Sequence, residues 1–341
     1  MKMRWKVSSL WDAPGRVLFT AVADRGPRGF LIAIVVLAAV ILPRAAHALP
    51  VSFSTSSGVM LGGAKEFVYD SGYTVSELDW PLLPAFYAGI TLNLGETAGF
   101  LSSVGLQVGI PGMAGTMTDS DFLNGDGVKT NYSQSDGDME NAILLTAQAG
   151  WGFAFDLPRG GVWTLEPFVS FEFMRFEWTA QNGYLQYPPE TSPPFTPWSP
   201  STPQVPITGT GIIYTQNYVI PAVGLKGTFP LSENLAMAVS FTFSPYLWCW
   251  DKDSHLFRQL DFYDNMQGGL LLEPRLSATY RFSSRTALSL DVLYRHVANL
   301  VGNDYEVSTG ASAGQQSPTY EEAAGASLDV VNVSLSLAVS L

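Results

Sequence analysis

The sequence predicts an all-β fold: a ten-stranded antiparallel transmembrane β-barrel with long extracellular loops. Three observations carry this expectation. Apolar residues alternate with small or polar ones at a period of two over most of the chain. The patterned segments are joined by connections that alternate between short and long, and an export signal precedes them.

The first 48 residues read as a signal peptide. Seven Lys/Arg against two Asp lie before position 45, and thirteen apolar residues run unbroken from Phe30 to Leu42. Pro43 ends the run, and Ala46-His47-Ala48 supplies a small-x-small cleavage site. The other reading is an N-terminal membrane anchor, for which thirteen residues are short. Residues 49–341 then form one outer-membrane barrel domain of 293 residues, with 11 basic and 28 acidic side chains. The resulting charge of −17 favours cationic partners and disfavours nucleic acid. Hydrophobic residues make up 47% of the chain and charged residues 14%, which excludes disorder. The single cysteine, Cys249, excludes a disulfide framework; between Trp248 and Trp250 it is expected to be buried or interfacial.

Ten segments have strand character: 51–69, 74–94, 98–118, 140–156, 161–179, 212–230, 234–250, 257–282, 285–302 and 326–341. The last shows the pattern plainly. Val333, Leu335, Leu337, Val339 and Leu341 interleave with Ser334, Ser336, Ala338 and Ser340. Leu288, Leu290, Val292 and Tyr294 repeat it, as do Leu235, Met237, Val239, Phe241 and Phe243. A soluble β-sandwich also alternates. Here, however, one face is greasy throughout and the other is Gly, Ala, Ser, Thr or charged, as lipid outside and a polar lumen inside require. Connections at 95–97, 157–160, 231–233 and 283–284 are brief, whereas 119–139, 180–211 and 302–325 are long. Eight prolines between Pro188 and Pro206 make the stretch of about 180–211 an external loop, because proline cannot donate to a sheet ladder.

Three acidic clusters fall at the long-loop end. Asp119-Ser120-Asp121 closes the third strand, Asp251-Lys252-Asp253-Ser254-His255 follows the seventh, and Glu66 lies near the outer end of the first. Residues two apart on a strand share a face, about 6.6 Å apart. Asp119 and Asp121 can therefore both face the lumen, and so can Asp253 and His255. In an Asp-x-His pair the carboxylate fixes one ring nitrogen as donor and leaves the other as a base. Two neighbouring carboxylates repel, so one can retain a proton near neutrality. Such a set can orient a water for attack on a carbonyl. The bland alternatives stay open: Asp-x-Asp as a solvated edge, His255 as a surface residue. Asp119–Gly127 also suggests a calcium loop, but Leu123 occupies a ligand position and Thr130 stands where the closing Glu belongs. No metal or other cofactor is expected.

Several runs together resemble one family. Lys65-Glu66-Phe67-Val68-Tyr69, with Val75-Ser76-Glu77-Leu78-Asp79-Trp80, is similar to the first hairpin of the omptins, outer-membrane endopeptidases of Gram-negative bacteria. Met117-Thr118-Asp119-Ser120-Asp121-Phe122 resembles their second-loop motif, which usually has Trp where Phe122 stands. Ile220-Pro221-Ala222-Val223-Gly224-Leu225-Lys226-Gly227, then Asp251-x-Asp253-x-His255, resembles their sixth and seventh strands. The match runs from about residue 60 to the end.

The resemblance implies a ten-stranded barrel with a proteolytic groove at its outer mouth. An aspartic-type dyad, Asp253 and His255, would activate water opposite the pair Asp119 and Asp121. Glu66 and Asp251 would bind a basic P1 side chain of a cationic substrate. It also implies a lipopolysaccharide requirement, with Arg175 and Lys226 as candidate contacts. Asn131 stands where the family often has an acidic residue, so a basic P1′ is not expected. Leu341 replaces the usual terminal Phe. The alternative function is a catalytically inactive barrel acting as adhesin or receptor through its loops; a small pore is a third, disfavoured by the narrow lumen of ten strands.

Overall fold

The computed structural model describes residues 50–341 except Glu96, Thr97, Arg159, Gly160, Thr191 and the side chain of Asn299. The signal-peptide expectation for residues 1–48 lies outside the described residues. The strands are β1 (Val51–Asp70), β2 (Tyr73–Leu94), β3 (Gly99–Gly109), β4 (Gly112–Asp121), β5 (Asn131–Asp156), β6 (Val162–Gln186) and β7 (Val205–Pro230). They continue with β8 (Leu235–Ser244), β9 (Leu247–His255), β10 (Leu260–Gly268), β11 (Leu271–Arg281), β12 (Thr286–Ser308) and β13 (Tyr320–Ser340).

Their antiparallel pairing closes into a ring of ten. At the lower level, where the short turns and both ends of the described chain lie, the order is β1-β2-β3-β5-β6-β7-β8-β11-β12-β13. At the upper level it is β1-β2-β4-β5-β6-β7-β9-β10-β12-β13. Three wall strands are thus broken midway: β3 from β4 at Ile110-Pro111, β8 from β9 at Pro245-Tyr246, and β10 from β11 at Gly269-Leu270. Closure leaves no unpaired edge.

The lower wall turns its apolar face outward. Phe53, Phe86, Ile90, Val108, Leu290 and Leu337 are among the exposed large hydrophobics. Aromatics border this belt. Trp163 stacks between Phe155 and Phe229 at centroid distances of 4.5 and 5.8 Å near the lower turns, and Tyr246 meets Trp248 edge-on at 5.2 Å at the upper side. An apolar band between aromatic girdles is the surface of an outer-membrane barrel.

Inside the belt the lumen is filled. Arg295 of β12 reaches across to Glu172 of β6 at 2.5 Å and also binds Glu273 of β11, so each buried charge has a partner. The Tyr87 hydroxyl donates to Asn332 Oδ1 at 2.6 Å. Above them Trp80, Trp178, Tyr214 and Phe176 form an aromatic floor. Trp80 stacks on Tyr214 at 4.8 Å, and Trp178 lies 5.4 Å from Phe176 and 5.9 Å from Tyr214. The Trp178 indole donates to the Pro81 carbonyl at 2.9 Å, which satisfies its buried N–H.

The upper strands climb higher than the alternation predicts. β5 begins at Asn131, β12 runs to Ser308 and β13 starts at Tyr320. The segment 251–256, left between the expected strands 234–250 and 257–282, is mostly the end of β9. Among the described residues the Pro-rich loop is irregular only over 187–190 and 192–204, with residues 180–186 in β6 and 205–211 in β7. Pro206 itself sits opposite Tyr184 in that ladder. The physical reason is common to all these corrections. Above the apolar belt the outer face meets water, and the inner face carries Ser133, Ser135, Asn131 and Gln186, so no apolar rhythm remains to mark a strand. The first hairpin closes with the two-residue turn Ser71-Gly72, both at positive φ (51° and 83°), the conformation that matches strand twist.

Candidate active site

β9 leaves the upper girdle at Trp248 and points every second side chain inward: Cys249, Asp251 and Asp253 are buried, and His255 ends the row. β4 does the same with Met117, Asp119 and Asp121. In the ring β4 and β9 are separated by β5, β6 and β7 on one side and by five strands on the other, so they form facing walls of the mouth. Asp119, Asp121, Asp253, His255 and Glu66 all line one cleft of about 530 Å³. Asp251 lies just beneath it, two residues nearer the aromatic floor. The structure thus brings together all six residues singled out in the sequence.

On β9, His255 Nε2 meets Asp253 Oδ2 at 2.5 Å. Burial lowers the imidazole pKa, but the Asp253 carboxylate outweighs it and the net displacement is upward. On β4, the Ser76 hydroxyl donates to Asp119 Oδ1 at 3.2 Å, and Asn131 Nδ2 donates to Asp121 Oδ2 at 3.0 Å. Burial and the adjoining Asp121 push Asp119 up to about 7, against the pull of the facing His255. Burial also raises Asp121, with the Ser76 and Asn131 hydrogen bonds opposing it. Near neutrality the β4 pair is therefore able to retain one proton while facing an imidazole.

The two remaining acids rest on the aromatic floor. Trp80 Nε1 donates to Glu66 Oε2 at 3.2 Å, and the Tyr214 hydroxyl donates to Asp251 Oδ2 at 2.9 Å while accepting from Gln216 Nε2 at 2.9 Å. Burial, with Asp253 and Asp251 nearby, drives Glu66 well up; burial also raises Asp251 to about 7 despite the Tyr214 bond. Four partners unmarked in the sequence reading also face the cleft: Tyr187, Arg258, Asp264 and Asp304. Asp264 had a usable signal, an Asp at an inward position within a strand. Asp304 lay past the predicted strand end.

Two loops form one side of the mouth. Asn124 and Phe195 exchange hydrogen bonds of 2.9 and 2.8 Å, and the Trp198 amide donates to the Lys129 carbonyl at 2.8 Å. The Trp198 ring lies 5.2 Å from Tyr132. The Pro-rich segment is thereby docked on residues 122–130 beside the cleft. Of the two basic residues considered for lipopolysaccharide, Arg175 pairs with Glu177 at 2.6 Å and Lys226 with Glu166 at 3.4 Å.

A closed ten-strand barrel carrying an Asp–His pair opposite an Asp–Asp pair at its mouth defines a class of protein. The omptin family model matches residues 47–341, and the chain belongs to the omptin family. Among solved structures the chain is similar to the outer membrane protease OmpT from Escherichia coli, with a TM-score of 0.75 and 19% identity over 86% of this chain and 97% of that one. That likeness establishes the fold. The translocator domain of the autotransporter NalP from Neisseria meningitidis aligns over 90% of this chain and 96% of its own, but at 10% identity and a TM-score of 0.34 it carries no argument. No curated protein sequence matches the chain.

Proposed function

We propose that the protein is an outer-membrane endopeptidase that hydrolyses peptide bonds next to Arg or Lys. The observation that carries the reading is the Asp253–His255 hydrogen bond facing the Asp119–Asp121 pair across one cleft. The apolar belt would sit in the outer membrane and the cleft end would face outward, with lipopolysaccharide around the upper girdle.

The ring nitrogen of His255 not bound to Asp253 would take a proton from a water. The water oxygen then bonds to the scissile carbonyl carbon while the carbonyl π pair moves to oxygen. Asp253 stabilises the imidazolium that forms. The proton held between Asp119 and Asp121 offers a hydrogen bond to the developing oxyanion, a contact stronger in the transition state than in the ground state. Collapse breaks the C–N bond, and His255 returns its proton to the departing amine. No acyl-enzyme is needed, which gives an aspartic-type hydrolysis. Glu66 and Asp251 would hold the P1 cation, which in turn relieves their mutual repulsion. Asn131, already bonded to Asp121, offers no charge to a P1′ cation.

The test is cleavage of three peptides that differ only in Arg, Lys or Gln at one position, using protein refolded with lipopolysaccharide and products read by mass. Cleavage after Arg and Lys but not Gln, abolished in His255→Ala with the barrel still folded, is the expected outcome. Equal cleavage by His255→Ala refutes the mechanism, and an intact Arg peptide with wild type favours the adhesin reading.

A further inference from the structure

Beneath His255 the barrel wall carries more acid than one cation pocket requires. Asp251 of β9 stands opposite Asp264 of β10, and Asp264 stands opposite Asp304 of β12. Gln216 of β7 extends the same row past Asp251. Neighbouring strands are about 4.8 Å apart, and like charges directly opposite one another destabilise a sheet. Asp251, Asp264 and Asp304 are nonetheless 3%, 5% and 8% exposed. Asp264 shares side-chain hydrogen bonds with Asp251 and with Asp304, yet each of the three keeps a buried Oδ1, and Gln216 a buried Oε1, that no donor from outside the row reaches. Among the described residues no ion pair reaches Glu66 or any of the three aspartates. Orphan acceptors are rare in native interiors, and four on consecutive strands at one height form an array rather than an accident.

The array is continuous with the cleft. Asp264 and Asp304 line it together with His255 and Glu66. Among the described residues no group of acidic, His or Cys side chains converges in a way that could hold a metal ion. The missing partner is therefore a multivalent hydrogen-bond donor with positive charge. An ammonium is a compact point with three donors, whereas a guanidinium is a plane with five N–H groups directed outward and a weaker hydration shell. The wider fork of the latter matches acceptors spread over several strands more closely than the compact ammonium does.

We infer that Asp264 and Asp304 extend the Glu66–Asp251 pocket into a subsite that selects guanidinium over ammonium. The inference rests on the proposed protease activity only for the source of that group, an arginine side chain of a peptide. Asp264 and Asp304 are then specificity-determining residues that act on binding, with no part in water activation.

The experiment measures calorimetric binding of n-butylguanidine and n-pentylamine to wild type, Asp264→Asn and Asp304→Asn, alongside Arg- and Lys-peptide cleavage. Wild type should bind the guanidine about tenfold or more tighter than the amine, and each variant should lose about tenfold of that affinity, the scale of one charge-assisted hydrogen bond. In cleavage the Arg-over-Lys ratio should fall through KM with kcat kept. Equal binding of the two cations by wild type, or unchanged selectivity in both folded variants, overturns the subsite. If the guanidine binds selectively and the variants lose it while no peptide is cut, the protease reading falls and the subsite stands. If Arg peptides are cut and both variants keep the wild-type ratio, the subsite falls and the protease reading stands.

Discussion

Replacing Asp253 by Asn is the perturbation that most sharply separates a catalytic pair from a buried ion pair. Asp253 is 2% exposed, and its Oδ2 holds His255 Nε2 at 2.5 Å. Asn keeps the shape but removes the charge that stabilises the imidazolium, and its amide can present N–H where an acceptor is needed. A hydrogen bond to a charged group contributes about 1.5–3 kcal/mol. General-base catalysis and the correct tautomer together account for roughly 10²–10⁴ in rate. A drop in kcat/KM within that range is expected. The pH profile supplies the second readout. His255 has a raised pKa, so the wild-type base is neutral only above that value and activity rises with pH through it. Asp119, at about 7, loses its proton above neutrality, so activity falls again. In Asp253→Asn burial still lowers the imidazole while the raising charge is gone, so the acid limb moves to lower pH. Retained kcat/KM, or an acid limb that stays in place, would refute the assigned role of Asp253.

Three further outcomes follow from the same geometry. Glu66, Asp119, Asp251 and Asp264 all have carboxyl pKa values raised by burial, so the native state binds more protons than the unfolded one; the contribution of Asp119 and Asp251 is complete below about pH 4 and is lost as pH rises through about 7, and Glu66 and Asp264 act in the same direction. The melting temperature should therefore be higher at about pH 5 than at about pH 8, and an unchanged or reversed order would contradict the burial of these carboxyls. Arg295→Met should leave Glu172 and Glu273 buried without their cation and cost about 3–5 kcal/mol, read as a lowered denaturation midpoint. Asn131→Asp should raise kcat/KM for substrates with Lys at P1′ relative to Ala at P1′, while weakening the support of Asp121; an unchanged ratio would show that position 131 does not face that side chain.

The barrel was legible because lipid imposes a rule on sequence: outward Phe53, Phe86 and Leu337 must be apolar, and inward neighbours must not be. That rule stops at the upper girdle. Above it Asn131–Ser135 and Asn303–Ser308 are strands with water outside and polar groups inside, so their pairing comes from closure of the ring and leaves no apolar rhythm. The site was legible for a different reason. Asp119/Asp121 and Asp253/His255 are spaced two apart at strand tops, and the local pattern with its family resemblance named them together with Glu66 and Asp251. What placed them face to face was the ring order, which no local pattern contains. Asp264 and Asp304 escaped because each is a single acid whose meaning comes from the cross-strand register. Trp80, named in the sequence only as part of a hairpin motif, and Tyr214, not singled out there, orient Glu66 and Asp251 by hydrogen bonds that residue spacing does not announce.

The most direct test of water activation between the two pairs is a crystal structure of the refolded protein at a resolution that places individual waters. One ordered water within hydrogen-bond reach of both a His255 ring nitrogen and an Asp119 or Asp121 carboxyl oxygen is expected. A gap closed by direct contact between the imidazole and the aspartates, or His255 turned away from the β4 pair, would contradict hydrolysis by these four side chains.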